Sequence, residues 1–283
     1  MKAITLLLLL GLILPVSAKS PVWQVSKGNN FLYIGGTVHV LGNNDYPLPP
    51  AFEEAYNNSK KLIFEIDINK MESPEIQMLV ASKMKYSDGS TLKDHLKPET
   101  YATLKEYLKP LGIPVITFED FKPSLVSLML TMMELQKLGI AGIGVDKYYN
   151  SKATQDYKSL GKLETIEEQI NFLTKMGDGD PDEYILYTLN EIEELSETFT
   201  SLKDAWRNGD TDKLAEIAIT PLNQFPDIYE MLIVKRNNAW VPQIEAMLKT
   251  KEVEMILVGA LHLAGKDSVL KQLESRGYTV EQF

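Results

Sequence analysis

The chain has 283 residues, of which 29 are basic and 39 acidic, for a formal net charge of −10, and it contains no cysteine. This acidic balance argues against nucleic acid or anionic lipid as a partner, because both would repel the chain. Without cysteine there is no thiol nucleophile and no disulfide, and any metal site must use histidine and carboxylate ligands.

The first 18 residues have the features of a signal peptide. A basic start at Lys2 precedes an apolar run from Ala3 to Leu14, and small residues up to Ala18 are typical of a cleavage site. The run is too short to cross a bilayer core of about 30 Å. We therefore expect cleavage after Ala18, export to the bacterial periplasm or secretion, and no stable membrane anchor afterwards. The mature chain, residues 19–283, is long enough for a full core and is expected to form a single domain.

Strand signals open the mature chain. Residues 22–25 and 31–34 flank a Gly-Asn-Asn turn, which predicts a hairpin. Residues 61–67 form the next strand, and their pattern conflicts with burial. Glu65 and Asp67 lie two residues apart in this strand, so their carboxylates are expected on one side.

A helical middle follows, from about residue 73 to about residue 249. Prolines mark several helix starts here, as they often do at the first helical position. Residues 114–117 are the exception and suggest a short strand, while a helix is expected through residues 148–159. The chain then ends with an apolar strand at 253–258, a helix at 267–276 and a last short strand. This β-α-β unit predicts an α/β fold with a parallel sheet, whose ligands lie beyond the carboxyl ends of the strands.

Two segments at opposite ends of the chain share one pattern. Residues 33–42 and 257–265 each contain an apolar strand, a glycine, two further residues, a histidine, an apolar pair and a glycine. The matched elements are Gly36–His39 and Gly259–His262. A glycine at a strand end permits a tight turn or a close approach to a ligand. The histidine three residues later is expected at the mouth of the sheet.

The matched histidines predict a functional site. Neutral imidazoles are common metal ligands and also shuttle protons near neutral pH. With His39 and His262, Glu65 would complete a set of two histidines and one carboxylate that leaves a position open for water. The third histidine, His95, lies in a polar helical start and is expected at the surface. Nucleophile elbows, His-Glu-x-x-His motifs and P-loops do not occur in the sequence.

Several short motifs occur together in an order and spacing typical of one family. They are Gly36–His39, Tyr46–Pro49, Phe64–Asp67, Gly144–Asp146, Leu163–Thr165, Gln169, Arg236, Asn237, Trp240 and Gly259–His262. With these motifs the chain resembles the TraB/GumN family, which includes the Tiki metalloproteases and the plasmid pheromone-shutdown proteins. The resemblance covers essentially the whole mature chain.

The resemblance implies a fold like that of the erythromycin esterases and the haem-binding ChaN proteins. In such a fold a central, mostly parallel sheet is wrapped by helices, with a large helical insertion between the first and last strands. The resemblance also implies metal-dependent proteolysis, in which His39, Glu65 and His262 bind a divalent cation. Manganese, cobalt and zinc all remain open for this donor set.

Further residues fall on positions typical of the family. Glu164 is expected among the catalytic residues, and either Glu164 or Asp67 would act as general base. Substrate binding, or support of the catalytic groups, is expected of Asp67, Arg236, Asn237, Gly36 and Gly259. For Arg236 and Glu164, an ion pair that holds the pocket together is an equally good interpretation.

The first functional prediction is a metal-dependent, peptidase-like hydrolase of the periplasm that acts on a peptide or protein. One alternative is a non-catalytic protein that binds haem, a metal or a small ligand in the same cleft. The other is a metal-free, esterase-like hydrolase in which His39 or His262 is the general base. The sequence does not choose between these alternatives, and it contains no signal for the oligomeric state.

Overall fold

The computed structural model describes residues 19–283, so the predicted signal peptide lies outside the described residues. A six-stranded sheet forms the centre of this part of the chain. Its strands are β1 (Val22–Lys27), β2 (Asn30–Thr37), β3 (Lys61–Phe64), β4 (Ser159–Lys162), β5 (Glu254–Gly259) and β6 (Thr279–Gln282).

The strand order is β4-β3-β5-β2-β1-β6. The first four strands in this order are mutually parallel, whereas β1 runs antiparallel to both of its neighbours, β2 and β6. The carboxyl ends of β2, β3, β4 and β5 therefore lie at the same edge of the sheet. The predicted α/β class with a mostly parallel sheet is confirmed.

Helices surround this sheet, and several of them begin with proline in the first turn, where its fixed φ suits the helix and its missing N–H costs nothing. The helices are α1 (Pro50–Asn58), α2 (Ile68–Met71), α3 (Pro74–Lys83), α4 (Leu92–His95), α5 (Pro98–Leu108), α6 (Pro123–Lys137), α7 (Val145–Gln155), α8 (Ile166–Leu173), α9 (Pro181–Glu193), α10 (Leu195–Arg207), α11 (Thr211–Leu214), α12 (Pro226–Tyr229), α13 (Lys235–Met247) and α14 (Val269–Ser275). Two π-helical segments, Ala215–Ile219 and Glu230–Val234, continue directly from α11 and α12, respectively.

The two faces of the sheet are buried in different apolar clusters. Met255 and Leu257 of β5 pack in the cluster that includes Trp206 of α10, whereas Ile256 and Val258 pack in the cluster of α13 and α14. This division follows from the alternation of side chains along a strand. Because both faces are covered, β5 is a continuous apolar run. A further apolar cluster, within the helical stretch, joins α4, α5, α6 and α9.

Two local predictions are wrong. Residues 114–117 were expected as a strand, but a 3-10 helix spans Val115–Phe118, and its Phe118 is buried in the helical cluster. The helix expected through residue 159 ends at Gln155, because the chain turns at residues 156–158, where Tyr157 has a positive φ, and enters β4 at Ser159. β4 is an edge strand of four largely polar or small residues, so it carries no apolar alternation that would have revealed it. Within residues 19–283, no helix combines the length and the apolar character needed to span a membrane.

Candidate functional site

The two Gly-x-x-His elements meet at the carboxyl edge of the sheet. β2 and β5 are parallel neighbours, and Thr37 lies opposite Gly259. The contact between the two elements is close, since a Cβ atom on Gly36 would lie 3.3 Å from the Cα and Cβ atoms of Ala260. Two segments from opposite ends of the sequence are therefore in direct contact here.

Beyond the glycines the two elements diverge. The backbone after β2 carries His39 outward, and its side chain is 66% exposed. The backbone after β5 turns at once into a 3-10 helix, Ala260–Leu263, and His262 on this turn is only 4% exposed. The histidine of the Gly-x-x-His element is thus exposed in one copy and buried in the other, so the two histidines cannot have the same role.

Arg236 of α13 lies between two buried carboxylates. Its Nη2 donates to Oε2 of Glu65 over 2.5 Å and to Oε1 of Glu164 over 2.7 Å, and its Nε donates to Oε2 of Glu164 over 3.1 Å. All three side chains are at most 10% exposed. One guanidinium therefore compensates two carboxylates that have little access to water.

Three further donors complete the coordination of these carboxylates. Oε1 of Glu65 accepts from the backbone N–H of Gly259 over 2.7 Å. The side-chain amide of Gln169 donates to Glu65 over 3.1 Å and to Glu164 over 3.3 Å, and the indole N–H of Trp240 donates to Glu164 over 3.2 Å. Each carboxylate oxygen thus accepts at least one hydrogen bond, as buried charges require.

His262 belongs to the same cluster, and its partners determine its tautomer. Its Nε2 lies 2.9 Å from Nη1 of Arg236, which can only donate, so Nε2 accepts. The proton is therefore on Nδ1, which donates to Oδ1 of Asn237 over 2.7 Å. Asn237 is held in this orientation because its Nδ2 donates to the backbone carbonyl of Asp267 over 2.8 Å. Both ring nitrogens of His262 are thus engaged.

Burial and charge set the ionisation of this cluster. Burial alone would raise the pKa of Glu65, but His262, Arg236 and His39, together with the Gly259 N–H, lower it to about 2. Burial lowers the pKa of His262 to about 3, and the positive charges of Arg236 and His39 act in the same direction. Because His262 is neutral above about pH 3, Arg236 and His39 are the cations that lie close to Glu65 near neutral pH.

His39 is paired with Asp146 outside this cluster. Its Nδ1 lies 3.3 Å from Oδ2 of Asp146, and this contact raises the pKa of His39 to about 9. Oδ1 of Asp146 is buried and has no hydrogen-bond partner within residues 19–283. The other ring nitrogen, Nε2, is directed toward Gly259, since a Cβ atom there would lie 3.9 Å from it.

Glycines of the preceding loop bring Asp146 to His39. The backbone N–H of Val145 donates to the carbonyl of Val38 over 3.0 Å, so the start of α7 lies directly against the chain beyond β2. A Cβ atom on Gly144 would be 2.2 Å from the carbonyl oxygen of His39, a distance that no side chain tolerates. Asp146 was not predicted as a site residue, although Gly144–Asp146 was one of the motifs typical of the family.

A cavity of about 650 Å³ opens beside these groups. Its polar wall is formed by His39, Asp146, Glu65, Arg236 and His262. The rest of its lining comes mainly from apolar side chains of the surrounding helices, among them Met71, Leu128, Phe172, Leu173, Phe199, Leu202, Leu214, Leu232 and Ile233. The structure thus combines a charged wall with a large apolar space, as is common for small-molecule sites.

Most of the predicted site residues come together, and one does not. Glu164 lies behind Arg236, and Asn237 supports His262. Asp67, in contrast, caps α2 by accepting from the backbone N–H of Lys70 over 3.1 Å, and it does not line the cavity. The expectation that it shares a side with Glu65 is wrong, because β3 ends at Phe64 and strand alternation does not extend to residue 67. His95 is exposed, as predicted, and stacks on Tyr86.

The predicted metal ligands do not fit a divalent cation in this arrangement. Nε2 of His262 lies 3.9 Å from Oε1 of Glu65, but its lone pair accepts from Arg236, and both oxygens of Glu65 accept from N–H groups. Across the part of the chain that the structure describes, no group of three or more histidine and carboxylate side chains is placed to hold a metal ion. The divalent cation stays a prediction.

The fold and the site define an α/β protein in which an exposed His–Asp pair and a buried Arg–dicarboxylate–His cluster share one cavity at the carboxyl edge of a parallel sheet. The model of the TraB/PrgY/gumN family matches residues 21–282, and the chain belongs to this family. The predicted family membership is thereby confirmed.

Individual relatives are distant. The chain is 25% identical to the uncharacterized protein YbaP of Escherichia coli (strain K12) over 251 residues, which cover 87% of this chain and 89% of the relative. It is 22% identical to the metalloprotease TIKI1 of Danio rerio over 304 residues, which cover 88% of this chain and 60% of the relative. No solved structure matches the chain significantly.

Proposed function

We propose that this protein is a hydrolase that cleaves an ester or amide bond in the 650 Å³ cavity, with His39 as the general base. The observation that carries the proposal is the His39–Asp146 pair on the polar wall of that cavity. A carboxylate at Nδ1 fixes the orientation of the imidazole and stabilises its protonated form, while Nε2 takes part in proton transfer.

The reaction then needs two proton transfers. Nε2 of His39 removes a proton from a water molecule, whose oxygen attacks the carbonyl carbon of the substrate. When the tetrahedral intermediate collapses, its C–O or C–N bond breaks, and the departing oxygen or nitrogen takes the proton back from His39. General acid–base catalysis of this kind contributes about 10²–10⁴ in rate.

Arg236 supports this site without donating to the substrate. Its five N–H groups are engaged by Glu65, Glu164, His262 and the carbonyl of Leu232. Its role is therefore to hold the polar wall in place by compensating the charges of Glu65 and Glu164.

A metal-dependent peptidase is the second candidate, and it is favoured by the name of the Danio rerio relative, metalloprotease TIKI1. The same name supports a peptide or protein as substrate. In this case His39, Glu65 and His262 are the residues to test as ligands. We further propose that the mature protein acts outside the cytoplasm, which is supported by the composition of residues 1–18. Fractionation of cells that express the full-length chain tests this localisation.

The decisive experiment compares His39→Asn with His95→Asn in purified protein that begins at residue 19. Nitrophenyl esters and a peptide library serve as substrates, with chelator or with added manganese, cobalt or zinc. We expect hydrolysis that survives chelation, falls at least about 10²-fold in the His39 variant and is unchanged in the His95 variant. Activity that requires added metal would support the second candidate instead, and equal activity of the two variants would exclude His39 as the base.

A further inference from the structure

The cavity at the polar wall adjoins a second cavity of about 370 Å³. Leu128 of α6, Leu173 of α8 and Leu232 line both spaces, so the two cavities adjoin at these side chains. Leu128 is 49% exposed although it is a large apolar residue within α6. We refer to these two adjoining, mostly apolar cavities, of which the first includes His39, as the channel.

Away from the polar wall, most of the surface that lines this channel is apolar. In the first cavity, the side chains of Phe172, Leu173, Phe199 and Leu202 lie on helices, whose backbone N–H and C=O groups bond to each other. The second cavity also has polar side chains in its lining, namely Ser124, Ser127, Thr131, Tyr184, Tyr187, Thr188 and Glu191, but most of its exposed lining is apolar. The hydroxyl of Thr188 is already satisfied, because it donates to the backbone carbonyl of Tyr184 over 2.9 Å and accepts from Ser127 over 2.9 Å.

This mostly apolar lining decides which ligand suits the channel. An extended peptide carries one N–H and one C=O per residue, and each would lose its hydrogen bonds with water on entering. A hydrocarbon chain has no hydrogen bonds to lose, and each methylene group that leaves water favours binding.

We propose that the substrate is an acyl compound with a long unbranched hydrocarbon chain. Its carbonyl lies at His39, and its chain runs past Leu128, Leu173 and Leu232 into the second cavity. This inference rests on the proposed hydrolase function for the carbonyl end, whereas the chain-binding part is independent of catalysis.

The test uses a graded series of chains and two readouts. Nitrophenyl acetate, hexanoate, dodecanoate and hexadecanoate measure kcat/KM, and displacement of a fluorescent fatty acid by butyric, octanoic, dodecanoic and hexadecanoic acid measures binding without turnover. Leu128→Trp obstructs the passage between the cavities at a half-exposed position that tolerates a larger side chain. Leu186→Trp, at an exposed position of α9 outside both cavities, is the matched control.

We expect kcat/KM and displacement to rise at least tenfold from the shortest to the dodecyl chain. In Leu128→Trp the ratio of long-chain to short-chain values should fall at least tenfold, with no such fall in Leu186→Trp. Ester hydrolysis with no chain-length preference and no displacement would overturn the inference and leave the hydrolase proposal standing. Graded displacement without hydrolysis of any ester or peptide would overturn the hydrolase proposal and leave the binding of a hydrocarbon chain standing. Stronger displacement by apolar peptides than by fatty acids would also overturn it.

Discussion

Replacing Arg236 with methionine tests whether the buried cluster is an ion-pair scaffold. The substitution keeps an unbranched apolar stem but leaves Glu65 and Glu164 without their common cation, at most 10% exposed. Removing one partner of a buried ion pair costs about 3–5 kcal/mol. The pKa of Glu65, which falls from 4.5 to about 2, agrees in direction, because Arg236 lowers it together with His262, His39 and the Gly259 N–H.

The cost of Arg236→Met should also depend on pH. The pKa of Glu65 is lower in the folded protein than in the unfolded chain, so its stabilisation is fully present above pH 4.5 and is lost as the pH falls toward 2. The difference in unfolding free energy between wild type and Arg236→Met should therefore be largest near neutrality and shrink below pH 4.5. Urea unfolding followed by far-UV circular dichroism measures this difference across the pH range.

A surface ion pair provides the control. Arg276 contacts Glu245 over 3.0 Å, but their side chains are 43% and 23% exposed, so Arg276→Met should cost no more than about 1 kcal/mol. If Arg236→Met is too unstable to purify, a triple variant that adds Glu65→Gln and Glu164→Gln removes the uncompensated charges and should fold. Equal stability of the two single variants at neutral pH, or a difference that acidification leaves unchanged, would refute the ion-pair scaffold.

Three further predictions concern the site. The rate of hydrolysis should rise from neutral pH toward about pH 9 as His39 loses its proton, and Asp146→Asn should shift this rise toward lower pH; identical profiles would contradict the pairing. Because the pKa of His262 is about 3 in the folded protein and 6.5 in the unfolded chain, its contribution to stability is complete above pH 6.5 and falls as the pH drops, by about 2 kcal/mol at pH 5. Urea unfolding just above pH 6.5 and at pH 5 should detect this loss of stability in wild type but not in His262→Asn. Gly144→Ala should lower stability by about 1–3 kcal/mol and slow hydrolysis, because its methyl group would meet the His39 carbonyl. Gly179→Ala, where the space is open, should do neither in the same assays.

The class of the fold could be predicted because its signals are local. β5 is a continuous apolar run, which indicates a strand covered on both faces, and the segment after it turns into α14. β4 escaped prediction for the opposite reason. A short polar strand at the edge of a sheet is held by pairing with β3, and that pairing is not encoded within its own four residues.

The residues of the site were predicted more completely than their partners. His39, Glu65, Glu164, Arg236 and His262 all lie at or directly behind the polar wall. The partner of His39 could not be identified from spacing, because Asp146 comes from a helix far along the chain and reaches His39 only through the glycines before it. Hydrogen bonding between distant segments leaves no periodicity in the sequence.

The sequence by itself determined that two matched Gly-x-x-His elements end strands of a parallel sheet, because glycines and apolar runs act on the backbone locally. Only the tertiary structure decided what each histidine does. The 3-10 turn after β5 buries His262 against Arg236, so its imidazole stays neutral and fully hydrogen-bonded. The chain after β2 continues outward and meets Asp146, so His39 is charged more readily and faces the cavity. Burial and neighbouring charge set the protonation of an imidazole, and both depend on segments far apart in the chain.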